Sequence, residues 1–378
     1  MRQLWITVPL LFAGAQEPWR SAHADLELER DAMGEGLSAA KEEILRRSPE
    51  LRERLERVKT ETFPRGWGRI PTVLEDVPDK PLAAFERKYA LADLESWFAA
   101  DVAKAKDLAS ELPPGDAPAP EKQVARLEKL QKRFRLFDEH LSYHSKWQVS
   151  VVEDAEFFRG RNEILELARA WKERRDEPGS AERLQVISDR LERFEHVAGI
   201  VLRSDDQGWT LPITIQTDIT DVPFLEAFEA AVIQYWSGVD SSAGRPLGLQ
   251  LEFERVDVAE LYEDAAPELG EALDTTAHVE RFPAGFVLTT GGKSIFAKVG
   301  RAIVLGPAPL TPRTLAHEFG HLLGFRDAYL RAYEGDPDSE FGATLVEVYG
   351  MFDDLMGNSK GGRVTAAMVD QLVEAYGE

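Results

Sequence analysis

Apolar residues recur three and four positions apart through most of residues 25–203. Leu127, Leu130, Phe134, Phe137 and Leu141 form one such stripe, and Leu184, Ile187, Leu191 and Phe194 form another. A stripe of this period lies along one side of a helix, so the spacing predicts several amphipathic helices. Ser48-Pro49-Glu50 reads as an N-cap followed by proline at the first helical position. Residues 113–120 (PPGDAPAP) break the pattern and read as a linker between helices. No repeat period is visible. The expectation is an all-α helical domain over residues 25–203.

The texture changes at residues 204–208 (SDDQG), which sets the expected boundary with a second domain, 204–378. Leu211, Ile213 and Ile215 alternate with polar neighbours, as do Leu247, Leu249, Leu251 and Phe253, which is strand period. Between them, Asp221 is placed to cap a helix carrying Phe224, Phe228, Val232 and Tyr235. Residues 286–290 and 294–298 flank Gly291-Gly292-Lys293, a pattern that predicts a hairpin. A strand over 301–305, a helix from Thr311 with Pro312 at its first position, and a last helix from Thr365 complete the order. The fold class expected is α+β, with the helical region in front.

The candidate chemistry sits in His317-Glu318-Phe319-Gly320-His321-Leu322-Leu323-Gly324-Phe325-Arg326-Asp327. Residues four apart share a helix face, so His317 and His321 are able to turn imidazole nitrogens toward one ion. Glu318, one step round the helix, stands beside such an ion as a general base for its water. A catalytic zinc takes three protein ligands and keeps a place for water. Gly324 suits the turn that ends the helix, and Asp327 then supplies the third ligand. The competing explanation is a solvated helix face with two ordinary histidines. The apolar Leu315, Ala316, Leu322 and Leu323 disfavour it, because buried imidazoles and a carboxylate without partners are costly.

Composition narrows the picture. The chain has no cysteine, so any metal is held by His, Asp or Glu and no thiolate nucleophile exists. A formal net charge of −22 repels phosphate backbones and argues against nucleic acid as a partner. Arg2, an apolar stretch over 4–15 and small residues at Ala22-His23-Ala24 read as a signal peptide over residues 1–24. A secreted or periplasmic location and a mature chain without a membrane span are therefore expected. His140 and His144 are also four apart but lack the following Glu, and read as an ordinary helix surface. His278 falls in a loop-like stretch and receives no role. No GxSxG elbow supports a serine hydrolase, and Gly291-Gly292-Lys293 lacks the rest of a phosphate-binding loop.

The string from His317 to Asp327 resembles the extended HExxHxxGxx(H/D) motif of metzincin metallopeptidases, with Asp as third ligand as in the snapalysin-type branch. The resemblance covers roughly residues 209–377. It implies one catalytic Zn2+, hydrolysis of peptide bonds in a protein or peptide substrate, and a Met-turn, for which Met356 in Asp354-Leu355-Met356-Gly357 is the candidate. Met351 is the weaker choice, lacking the glycine directly after it. It further implies that residues 294–298 form an edge strand that pairs with substrate. The sequence departs from the family where a tyrosine often follows the methionine by two residues, since Asn358 stands there; Tyr349 is a possible substitute. Three function classes remain open: an endopeptidase whose helical region is a propeptide or partner-binding module, a helical scaffold with a structural metal site, and a metal-dependent amidase acting on cell-wall peptides.

Overall fold

The computed structural model describes residues 18–58, 66–76, 78–79, 83–262, 265–358 and 361–378. The signal-peptide expectation therefore lies partly outside the described residues, and residues 18–24 open the first helix. The chain divides into two compact units: residues 1–60, 88–159 and 332–346, and residues 61–87, 160–331 and 347–378. No helix among the described residues is long and apolar enough to cross a membrane.

The first unit is built on α1 (Pro18–Arg47), α2 (Arg52–Val58), α3 (Leu91–Leu108) and α4 (Glu121–Glu153). Their stripes meet in one core, with Leu26, Met33 and Ile44 from α1, Leu94, Phe98 and Val102 from α3, and Leu127, Phe137 and Leu141 from α4. Phe98 and Phe137 stack with centroids 4.5 Å apart. Gly36 lets α1 approach α3 closely, since a Cβ there would stand 2.6 Å from the Ala105 carbonyl oxygen. The expected cap at Ser48 is not made. Its hydroxyl accepts from the Ala119 N–H at 3.0 Å instead, closing the end of the 113–120 linker onto the 3-10 turn Pro49–Leu51.

His144 is not a surface residue. It is fully buried on α4, its Nε2 donating to the Ala343 carbonyl at 2.9 Å, while Gln148 Oε1 accepts from the Ala343 N–H. Burial pushes its pKa down to about 4, although the Ala343 bond opposes the shift. The neutral ring folds in, whereas the unfolded chain takes a proton below the ordinary histidine value of 6.5. The stabilisation is therefore present above that value and is lost as pH falls toward 4, by roughly 3 kcal/mol at most. Replacing His144 with Gln should flatten the fall in Tm between pH 7 and pH 4, measured by thermal melts; an unchanged slope would refute this.

The second unit mixes helices and strands. Its six-stranded sheet contains β2 (Arg203–Ser204), β3 (Trp209–Thr217), β4 (Leu247–Arg255), β5 (Phe286–Thr290), β6 (Phe296–Lys298) and β7 (Ala302–Leu305). Strand β3 pairs in parallel with β4 on one side and β5 on the other, β5 pairs in parallel with β7, and β6 closes the edge antiparallel to β7. The predicted hairpin is thus overturned: β5 and β6 are not partners. Val287, Leu288, Thr289 and Thr290 are all buried, as suits an interior strand with neighbours on both sides. The glycines instead carry the chain past the end of β7, where Gly292 N–H bonds the Leu305 carbonyl at 3.0 Å.

Helix α7 (Val222–Trp236) is capped by Asp221, which accepts from the Phe224 N–H at 2.9 Å. It packs on the later helix α10 (Pro312–Leu322), and Trp236 Nε1 donates to the Ala316 carbonyl at 3.0 Å. The short α8 (Val258–Leu261) and α9 (Thr275–Val279) lie between β4 and β5, and α11 (Ala366–Tyr376) ends the chain, capped by Thr365. Helices α5 (Ala155–Glu173, from Gly160 onward) and α6 (Ser180–Arg190) belong to this unit as well.

Contacts do not divide the chain at residue 204. The composition shift there marks a change from helix to sheet, while two earlier segments pack into the sheet-containing unit. Phe194 bridges to Phe325, and Glu195 N–H bonds the Gly324 carbonyl at 2.8 Å. Trp67 Nε1 donates to Asp218 at 2.6 Å, Leu74 N–H to the Leu310 carbonyl at 2.7 Å, and Asp76 accepts from the Arg313 N–H and the Tyr235 hydroxyl. A second sheet, which the sequence pattern did not suggest, has the order β1–β9–β8, with β1 at Phe85–Tyr89, β8 at Leu330–Glu334 and β9 at Thr344–Tyr349.

Candidate metal centre

Helix α10 starts cleanly because Thr311 caps it, its hydroxyl accepting from the Thr314 N–H at 3.3 Å, with Pro312 at the first position. It ends at Gly324, whose φ is +100°. A side chain there is excluded twice, by that backbone angle and by the Glu195 carbonyl oxygen, which a Cβ would meet at 2.1 Å. The turn returns Asp327 to the helix face that bears His317 and His321. Asp327 Oδ1 stands 3.2 Å from His317 Nε2 and 3.5 Å from His321 Nε2.

Gly324→Ala should therefore cost more than the ~1 kcal/mol that glycine-to-alanine changes normally move. Chemical denaturation would measure the loss, and zinc affinity should fall with it because the turn carries Asp327. Wild-type stability in the variant would sink the argument.

The ligand atoms of His317, His321 and Asp327 lie within 4.8 Å of one another. Each imidazole is fixed by its other nitrogen. His317 Nδ1 donates to the Leu355 carbonyl at 3.0 Å and His321 Nδ1 to the Phe325 carbonyl at 2.7 Å. A carbonyl only accepts, so both Nδ1 atoms carry a proton and both Nε2 atoms face the shared point, the positions a cation would take. The rings stand nearly perpendicular at 88°. Two imidazole nitrogens and one carboxylate oxygen converging with fixed tautomers suit a zinc ion or a similar divalent cation.

Without a cation the three groups settle on each other. Burial opposes charge on His317, but Asp327 and Glu318 hold its pKa up at about 9. Burial likewise works against the Asp327 carboxylate, and the two histidines pull it far below the usual range. Glu318 is buried, and burial raises its pKa against the pull of both histidines. A carboxyl shifted toward neutrality is matched to taking and giving a proton.

Met356 lies under the helix. A Cβ on Gly320 would meet its sulfur at 2.7 Å, so the glycine admits the methionine. Asp354 builds the turn, its Oδ1 accepting from the Met356 N–H at 3.0 Å and the Gly357 N–H at 2.9 Å. The next residue on, Leu355, offers the carbonyl that fixes His317. Met351 is also buried. Asn358 is buried within the turn, donating to Asp353 at 2.8 Å and accepting from the Gly361 N–H at 3.0 Å.

The tyrosine beside the ligands is Tyr329, two residues after Asp327. Its hydroxyl bonds the Asp327 carboxylate, and burial followed by that charge raises its pKa. Tyr349 does not take this place; it stacks behind Tyr329 with centroids 5.0 Å apart. Position alone was the available signal for Tyr329, since the return of the chain after Gly324 carries the following residues past the site.

His278 also departs from the loop reading. It lies buried on α9, with Nδ1 bonded to the Tyr262 hydroxyl at 2.7 Å and Nε2 to Asp218 at 3.0 Å. The network pins Trp67 through the same carboxylate. His140 packs edge-on against Tyr89, with centroids 5.0 Å apart. Among the described residues, neither His140, His144 nor His278 belongs to a group of metal-ligating side chains.

No protein-family model matches the chain, and neither curated proteins nor solved structures give a match.

Proposed function

We propose that the second unit is a zinc-dependent endopeptidase of the metzincin type. The observation that carries this reading is the convergence of His317, His321 and Asp327 with both Nδ1 atoms committed to carbonyls and Glu318 buried beside them. A helix-borne pair, a glycine turn, an acidic third ligand and a methionine turn beneath are the parts the motif implies. A sheet edge made by the antiparallel β6 supports it further, since an extended peptide pairs with such an edge through its main chain.

A bound zinc ion supplies a polarised carbonyl and a water with its pKa lowered to about 7. The side chains do the rest. Glu318 takes the proton from the attacking water and passes it to the leaving amine. Asp327 carries a negative charge that a third histidine lacks, and Tyr329 orients that carboxylate. The strand edge orients the substrate before reaction, which is where proximity contributes.

A scaffold role leaves the buried Glu318 without a task, because a structural zinc site is closed by four ligands. The test pairs metal analysis of the purified chain with digestion of casein and of peptidoglycan, with and without chelator. Casein cleavage abolished by chelator supports the endopeptidase; cleavage of peptidoglycan alone supports the amidase. Zinc bound without any cleavage would return the scaffold.

A further inference from the structure

The second unit includes a piece of chain from well before its sheet, residues 66–87, and one side chain of that piece stands behind the metal centre. Phe85 of β1 stacks on Tyr349 of β9 with centroids 5.2 Å apart and planes 19° from parallel. Tyr349 stacks in turn on Tyr329 at 5.0 Å and 27°. Tyr349 thus links Phe85 of β1 to the ring whose hydroxyl bonds Asp327. The polar edges are tied as well. Arg331 donates to the Tyr329 hydroxyl and, at 2.9 Å, to the buried Glu347, which also accepts from the Tyr349 hydroxyl.

We propose that Phe85 is a positioning residue for Tyr329, acting through Tyr349, so that residues 66–87 are a working part of the metal centre. The inference rests on the peptidase reading for its consequence in catalysis. The ring stack itself does not depend on it. Tyr329 follows the third ligand on a chain that has just left a helix; Asp327 and Arg331 hold its hydroxyl, and the stack on Tyr349 holds its ring. Stacking on an aromatic neighbour favours one orientation of a phenol beyond what area burial alone gives.

The segment that delivers Phe85 is itself fastened at intervals. Trp67 is held by Asp218, Thr72 and Leu74 by Leu310, and Asp76 by Arg313 and Tyr235. Glu86, next to Phe85, receives Arg169 through two bonds of 3.0 and 2.6 Å. A working enzyme that has lost part of its helical region must therefore keep residues 66–87. On this proposal a removed propeptide would end before this segment.

The experiment uses the full chain labelled with 3-fluorotyrosine, with the Tyr329 fluorine resonance assigned by Tyr329→Phe. In Phe85→Ala that resonance should shift and broaden, zinc content should stay at the wild-type level, and kcat on a peptide should fall about 10-fold with KM unchanged. A 10-fold loss is the lower end for groups that only orient a ligand. Phe85→Tyr, which keeps the ring, should restore both signals. Phe85→Leu carries the same test should the alanine variant not fold. An unaltered Tyr329 resonance in a folded Phe85→Ala or Phe85→Leu protein overturns the positioning role. A wild type that cleaves nothing overturns the peptidase reading, and the resonance still decides the role of Phe85.

Discussion

On the proposed peptidase reading, Glu318→Ala should keep zinc and lose turnover by a factor of about 10^2–10^4, the range contributed by a positioned general base. The reasoning is one of geometry and burial. Glu318 neighbours His317 on α10 yet is not among the three groups whose ligand atoms converge. Its removal therefore leaves the cation's holders intact. Burial raises its pKa, so the folded protein spends energy to keep a carboxylate there, and losing it should not lower stability. Glu318→Gln, which preserves shape, should behave alike. The measurements are zinc content by atomic absorption and kcat on a peptide substrate. Turnover within threefold of wild type in either variant rules out Glu318 as the base.

His321→Ala should have the opposite signature on the same reading, losing the metal and the activity together. Groups that merely orient a ligand contribute 10–100-fold to metal affinity, and removing a ligand itself should cost more. A cation that binds only the folded chain stabilises it by about 4 kcal/mol at a thousand times its Kd. Zinc should therefore raise the Tm of the wild type and leave that of His321→Ala nearly unmoved. The pH response has a definite sign. In the metal-free protein His317 keeps a proton up to about 9, held by Asp327 and Glu318 against burial. Zinc must displace that proton, so its affinity should rise steadily as pH increases toward 9. Equal zinc-induced Tm shifts in wild type and variant, or affinity independent of pH, contradict the assigned ligands.

The reach of sequence reasoning differs among elements for identifiable reasons. The caps at Asp221, Thr311 and Thr365 are local chemistry: a short polar side chain meets a free N–H two or three residues on, and all three are formed. Ser48 offered the same local signal, yet a partner 71 positions away, Ala119, took its hydroxyl. The Gly291-Gly292 pair was legible as a turn but not as a choice of partner, because strand pairing is fixed by which neighbours bury Val287 and Leu288. His140 and His144 share one helix, and tertiary contacts separate their surroundings, Tyr89 for the first and Ala343 for the second.

The run from His317 to Asp327 determined its own convergence: four-residue spacing puts the imidazoles on one face, and Gly324 turns the chain back within three residues. These relations span less than three helical turns, where backbone geometry alone dictates proximity. What holds the centre from outside was decided by folding. The Leu355 carbonyl, the Met356 sulfur, Tyr349 and Phe85 lie 22 to 232 positions from the residues of that run. No periodicity encodes such meetings. They follow from the packing of whole strands and helices, which places side chains by the shape of the core and not by their order in the sequence.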